Sequence, residues 1–370
     1  MHRIIPALFL CLSFFSPGCQ DSGPAEKQPP ANLTLTFTVS TDGSGVVVFI
    51  AKADNASRFQ FFFGETGEVA FESNTGEVSH AYLNSGTYNV KVLAFSADEL
   101  SIDKTASITI EVDEPPITTA GYTSPTSYAG LNLVWNDEFD GDGLNADYWT
   151  HETGNGTDGW GNNELQYYQA ANTLVQDGYL TIKAKAENVG GRNYTSSRIV
   201  TKDKKAFTYG RVDIRALMPR GQGIWPALWM LGSNISEPEF IWPKCGEIDI
   251  MEMVGGGAGK DDKVYGTVHW DNAGSYASYG GDSTLTNGKI LADEFHVYSI
   301  VWTETLITWY LDNVQYHVID ITPPELNEFQ KEFFFLFNVA VGGNWPGSPD
   351  GNTVFPQRMI VDYIRVFQVQ

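Results

Sequence analysis

The chain has 370 residues, with 45 acids against 23 Lys and Arg and a formal charge of −22 at pH 7. That balance repels phosphate backbones and argues against a nucleic-acid partner, whereas a neutral polymer suits it; the length exceeds one ordinary domain and fits two. With 37 glycines, 13% aromatic residues and short apolar runs cut by turn residues, the composition points to an all-β protein.

In chain order, His2-Arg3, an apolar run from Ile4 to Phe15 and Ser16-Pro17-Gly18-Cys19 have the layout of a signal peptide over residues 1–18, too short to span a bilayer. The small residue before Cys19 resembles a bacterial lipobox, which implies Cys19 as a lipidated first residue, although Pro17 departs from the usual pattern. Export is expected either way: a lipid anchor at the outer membrane or cell surface, or else plain secretion. Cys11 lies in the leader, so Cys245 is left unpaired and no disulfide framework is expected. Residues 19–31 are polar and Pro-rich and read as a flexible linker.

Residues 32–113 alternate apolar and polar positions, as in Leu35-Phe37-Val39, Val46 to Ile50 and Tyr88-Val90-Val92, with Gly and Asn turns between them. The pattern predicts a small β-sandwich. Ser79-His80-Ala81-Tyr82 followed by Gly86-Thr87-Tyr88-Asn89-Val90 resembles immunoglobulin-like, PKD-like modules of secreted bacterial hydrolases, and a spacer role is expected. Residues 114–130 carry Pro115, Pro116 and Pro125 and read as a second linker.

From 131 to 370, strands are expected at 179–186, 209–219, 246–254, 264–270, 296–302, 307–312, 314–319, 333–341 and 359–369, a spacing that fits a two-layered jelly-roll sandwich. Asp312-Asn313 reads as a two-residue hairpin turn.

The strand Gly246-Glu247-Ile248-Asp249-Ile250-Met251-Glu252 places Glu247 and Asp249 on one face, because strand side chains alternate with a period of two. Glu252 joins that face only if a one-residue β-bulge lies near Ile250-Met251. Three carboxylates on one face repel one another and suit either a cation or a reaction. Glycoside hydrolysis with retention uses such groups, one ionised to attack the anomeric carbon and one protonated for the leaving oxygen, about 5–5.5 Å apart. A solvated face or a calcium site is the plainer alternative; the aromatic rather than basic neighbours favour the reaction.

Those neighbours carry a resemblance. Gly223-Ile224-Trp225-Pro226-Ala227-Leu228-Trp229-Met230, Trp242-Pro243-Lys244-Cys245-Gly246-Glu247-Ile248-Asp249-Ile250-Met251-Glu252, Gly266-Thr267-Val268-His269-Trp270 and Val361-Asp362-Tyr363-Ile364-Arg365-Val366 closely resemble glycoside hydrolase family 16, in its laminarinase branch. With Trp135-Asn136-Asp137-Glu138-Phe139 and Trp160-Gly161-Asn162-Asn163-Glu164, the resemblance covers essentially all of 131–370 and nothing earlier. It implies Glu247 as nucleophile, Glu252 as acid/base and Asp249 as the assisting carboxylate in an open cleft, with no catalytic cofactor. The spacing of the second Glu implies β-1,3-glucan as the polymer, cleaved internally.

Candidate glucan-binding residues are Trp225, Trp229 and Trp345, whose rings would stack on sugar faces, and His269, Asn163 and Arg198, which match polar cleft positions. Core packing is expected instead for Trp149, Trp302 and Trp309. The resemblance also implies a structural Ca²⁺ on the convex face, with Glu138 and Asp362 at matching positions. A monomer is expected. Competing readings are a mixed-linkage glucanase, an agarase or carrageenase on the same fold, and a non-catalytic glucan-binding protein, against which the paired glutamates argue.

Overall fold

The computed structural model describes residues 27–65, 68–82, 85–113 and 116–369. The expected leader 1–18, Cys19 and most of the first linker lie outside the described residues. The chain divides into two compact units, Met1–Pro115 and Pro116–Gln370.

In the first unit, strands Ala31–Val39, Val46–Asp54 and Glu77–Ala81 form one antiparallel sheet. Phe71–Ser73, Arg58–Phe62, Gly86–Phe95 and Ser101–Ile110 form the other. Each strand alternates, so Val47, Phe49, Phe59, Phe61, Val90, Val92 and Ile108 meet in one core between the sheets. At the corner before Gly86 the buried Tyr82 donates its phenol to the Phe63 carbonyl at 2.9 Å, a bond that ties the two sheets together as in immunoglobulin-like sandwiches.

The second unit is a sandwich of two sheets. The cleft sheet runs in the order Ser275–Thr284, Lys263–Asn272, Glu247–Glu252, Ile224–Gly232, Phe333–Val341, Arg198–Val200, Thr150–Glu152. The back sheet runs Thr173–Gln176, Tyr179–Ala184, Gln357–Gln368, Gly210–Leu217, His296–Trp302, Leu306–Leu311, Val314–Asp320. Phe333, Phe335, Phe337, Val339 and Val341 face the core between the sheets, while Phe334, Leu336, Asn338 and Ala340 take the other face. That double burial explains a strand whose sequence is almost unbroken apolar. The expected strands are present with ends shifted by a few residues, and Asp312 and Asn313 both have positive φ, the backbone of a two-residue hairpin loop. Trp149, Trp302 and Trp309 are buried in this core as expected.

The second linker is a correction. Residues 116–130 belong to the second unit, and Thr119–Tyr128 lies along its back sheet as a strap. Arg215 donates to the carbonyls of Tyr122 (2.7 Å) and Thr119 (3.1 Å), Tyr128 donates to Asp213 at 2.6 Å, and Ser124 bonds the Tyr363 phenol. Proline-rich composition suits a linker, but it suits equally an extended strap whose carbonyls satisfy buried guanidinium groups.

Candidate active site

The site is built on the strand Glu247–Glu252. Against its neighbour Ile224–Gly232 the register runs Trp229↔Asp249 and then Leu228↔Met251, so Ile250 is skipped; on the other side Asp249↔Thr267 is followed by Glu252↔Tyr265. This is the expected bulge. Ile248, Ile250 and Met251 all point into the core, and Glu247, Asp249 and Glu252 all point into the cleft. Trp309 reaches across from the back sheet and donates its indole N–H to the Asp249 carbonyl at 2.8 Å. The room for it is made at Gly266, where a Cβ would lie 2.4 Å from the Trp309 ring.

The cleft holds about 550 Å³ and is lined by the three acids together with Trp225, Trp229, Trp345, His269, Arg198, Asn338, Trp242 and Tyr276. An indole serves each glutamate: Trp242 Nε1 donates to Glu247 and Trp225 Nε1 to Glu252, both at 2.9 Å. His269 Nε2 stands 3.0 Å from Asp249 Oδ2 and 3.7 Å from Glu247 Oε1. Among the described residues that Asp249 oxygen, though buried, accepts no hydrogen bond. On the cleft floor Trp229 donates to Asn338 at 2.7 Å, Asn338 to the Tyr168 phenol, and Tyr168 to the buried Glu164. Arg198 sits over the rings of Trp160 and Trp229 while bonded to Glu152.

Burial pushes all three acids well above the usual carboxylate range, to about 8, and the charge of Asp249 adds to the rise at both glutamates. The indole N–H groups and His269 pull the two glutamates back down, because they favour the ionised form. Three such groups titrate as one set and cannot all be ionised at neutral pH. The set therefore offers a carboxylate and a proton side by side, which is what acid-assisted nucleophilic substitution at an acetal carbon requires.

Of the residues expected from the sequence, the structure brings Glu247, Asp249, Glu252, Trp225, Trp229, Trp345, His269 and Arg198 to one cleft. Asn163 is different: its side chain donates to Asn344 at 2.9 Å and braces the Trp345 loop, while its neighbour Asn162 lines the cleft. Trp242, Tyr276, Trp160 and Asn338 were not anticipated. Trp242 had a signal, lying five residues before Glu247 and just ahead of a proline.

Glu247, Asp249 and His269 offer donor atoms within 4.8 Å of one another, a set that could also hold a divalent cation. The two carboxylates inferred from the sequence as calcium ligands are both held by arginines. Glu138 is engaged by both Nε and Nη2 of Arg365 at 2.8 and 2.7 Å, and Asp362 pairs with Arg215 at 2.7 Å.

Residues 157–365 match the family model described as glycosyl hydrolases family 16. A β-glucanase of Rhodothermus marinus is 41% identical over 250 residues, covering 64% of this chain and 85% of that protein. Glucan endo-1,3-β-glucosidase A1 of Niallia circulans is 39% identical over 284 residues, 70% of this chain but 41% of that protein, so the chain spans less than half of this relative's length. The laminarinase catalytic domain of Thermotoga maritima is 44% identical with a TM-score of 0.60, over 65% of this chain and 99% of that one. With its family match spanning more than half of the sequence, the chain belongs to glycosyl hydrolase family 16, whose hydrolases need no catalytic cofactor.

Proposed function

We propose that the chain is an exported, endo-acting β-1,3-glucan hydrolase that works with retention of configuration through Glu247 and Glu252. The observation that carries this reading is the bulged strand, which aims two indole-braced glutamates and a buried aspartate into one open cleft. The activities named for the Niallia circulans and Thermotoga maritima relatives support the linkage.

In the first step the Glu247 carboxylate forms a bond to the anomeric carbon as the bond to the leaving oxygen breaks, and Glu252 gives that oxygen its proton. In the second, Glu252 takes a proton from water, the hydroxide replaces Glu247 on the same carbon, and the carboxylate is restored. Asp249 holds a second proton, separate from that of Glu252, which keeps Glu247 ionised beside it. Trp225, Trp229 and Trp345 supply stacking faces, and Arg198 and Asn162 supply hydrogen bonds.

The first unit acts as a PKD-like spacer, Cys19 as a lipid anchor at the outer membrane or cell surface, and the protein works as a monomer. The three-plus-four strand arrangement supports the first of these assignments and the leader layout the second. The test is release of reducing ends from laminarin, mixed-linkage glucan and agarose, with the first-formed anomer read by proton NMR. Laminarin cleaved fastest, to mixed oligosaccharides of β configuration, is expected; activity on agarose with none on laminarin overturns the substrate, and an α first product overturns the mechanism.

A further inference from the structure

His269 has a neighbour that the catalytic reading does not use. The Tyr276 hydroxyl lies 2.7 Å from His269 Nδ1, with the two rings nearly parallel at an interplanar angle of 19°. The same phenol ring packs on Trp242 at 5.4 Å, and Trp242 is the indole that donates to Glu247. Tyr276 comes from the outermost strand of the cleft sheet, opposite Asp271 and diagonal to His269 on the same face. It is delivered there by a short turn: Ala273 and Gly274 both have positive φ, and the Gly274 N–H bonds Asp271.

We propose that Tyr276 is a positioning residue for the reaction, holding His269 in the state that carries a proton on Nε2. The groups facing this imidazole are Asp249 and Glu247 from the neighbouring strand, Tyr276 from the other, and the Trp242 ring. A bare Nε2 lone pair would repel the ionised Glu247 oxygen at 3.7 Å and would draw on the proton of Asp249 at 3.0 Å, whereas Nε2–H attracts the Glu247 carboxylate and leaves that proton on the aspartate. With the proton on Nε2, a neutral ring needs a donor at Nδ1 and a charged ring needs an acceptor there. A phenol hydroxyl is both. Tyr276 thus satisfies Nδ1 in either charge state, and the Nε2 proton stays beside the Glu247 carboxylate, whose negative charge it favours. Half exposed in the cleft, Tyr276 also keeps Trp242 over Glu247 by ring contact alone, so its hydroxyl and its ring do separable things.

This inference rests on Glu247 being the nucleophile. The test compares Tyr276→Phe, which keeps the ring, with Tyr276→Ala, which removes both, in the full chain. Nitrogen NMR of the His269 side chain reads the tautomer without any substrate, so it fails independently of the proposed activity. For Tyr276→Phe the expected result is a shift of the Nδ1 and Nε2 resonances toward a mixture, with kcat down roughly tenfold, KM within about twofold and an unchanged melting temperature. Tyr276→Ala should add a rise in KM. An unchanged His269 pattern in Tyr276→Phe overturns the proposal, and so does a kcat within about twofold of the parent on whichever glucan the parent cleaves.

Discussion

The two sheets of the second unit treat charge in opposite ways. On the back sheet Asp213 is fully buried, yet it receives Arg211 at 2.8 Å, Ser299 at 2.7 Å and Tyr128 at 2.6 Å. Asp362 and Glu138 nearby are matched by Arg215 and Arg365. On the cleft sheet three acids share six residues, and among the described residues none of the three has a Lys or Arg partner. Arg198 lines the same cleft but is committed to Glu152. Cancelled charge holds the back sheet together, whereas uncancelled charge in the cleft is kept at a cost in stability because the chemistry uses it.

The sharpest way to break this contrast is to remove a cleft acid and ask what is lost. Glu247→Gln should lower kcat on the order of 10⁴–10⁶-fold, the size seen when a hydrolase loses its nucleophile. Glu252→Gln should cost roughly 10²–10⁴-fold on glucan and far less on activated aryl glycosides, whose leaving groups need no proton. Neither change should lower the melting temperature; a drop of several degrees would make these acids structural. The complementary experiment is on the back sheet. Arg211→Met leaves Asp213 buried without its cation and should cost about 3–5 kcal/mol in urea unfolding, with kcat per folded molecule unchanged. A cost below about 1 kcal/mol would mean that Ser299 and Tyr128 suffice for Asp213, and that cancellation by charge is not what holds the sheet.

Much of the cleft sheet was legible because its information is local. Ile248, Ile250 and Met251 announce a core face broken by one residue, so the bulge could be read from the spacing of Glu247 and Glu252 alone. What braces the bulge could not. Trp309 lies 60 positions away from Asp249, on the other sheet, and reads in sequence as one more buried tryptophan. The strand Ser275–Thr284 was missed because Gly280 and Gly281 suggest a loop; in the structure their missing side chains let Thr267 and His317 close over the pair. Losing that strand hid Tyr276. The strap Thr119–Tyr128 was misread for a related reason, since the contacts that hold Arg215 are made by its backbone carbonyls, which no side-chain pattern reports. Asn163 and Asn162 are adjacent, and only the backbone turn, with Asn163 at φ 56°, decides which of them lines the cleft.

The smallest effect is the most discriminating, because it concerns the most deeply buried of the three acids. Asp249 is almost wholly buried, and burial alone lifts its carboxyl to about 8. A carboxyl in an unfolded chain titrates near the ordinary value, so between that value and about 8 the folded protein holds a proton that the unfolded chain has released. Stability from this group is therefore present at low pH and is lost as pH rises through that window. Asp249→Asn removes the titration while keeping the shape. Its melting temperature should match the parent near pH 4 and exceed it by a few degrees near pH 8, as kcat falls. Equal melting curves at both pH values would mean that His269, 3.0 Å away, compensates Asp249 as fully as an arginine does on the back sheet, and the contrast between the sheets would be one of cation type rather than of cancelled and uncancelled charge.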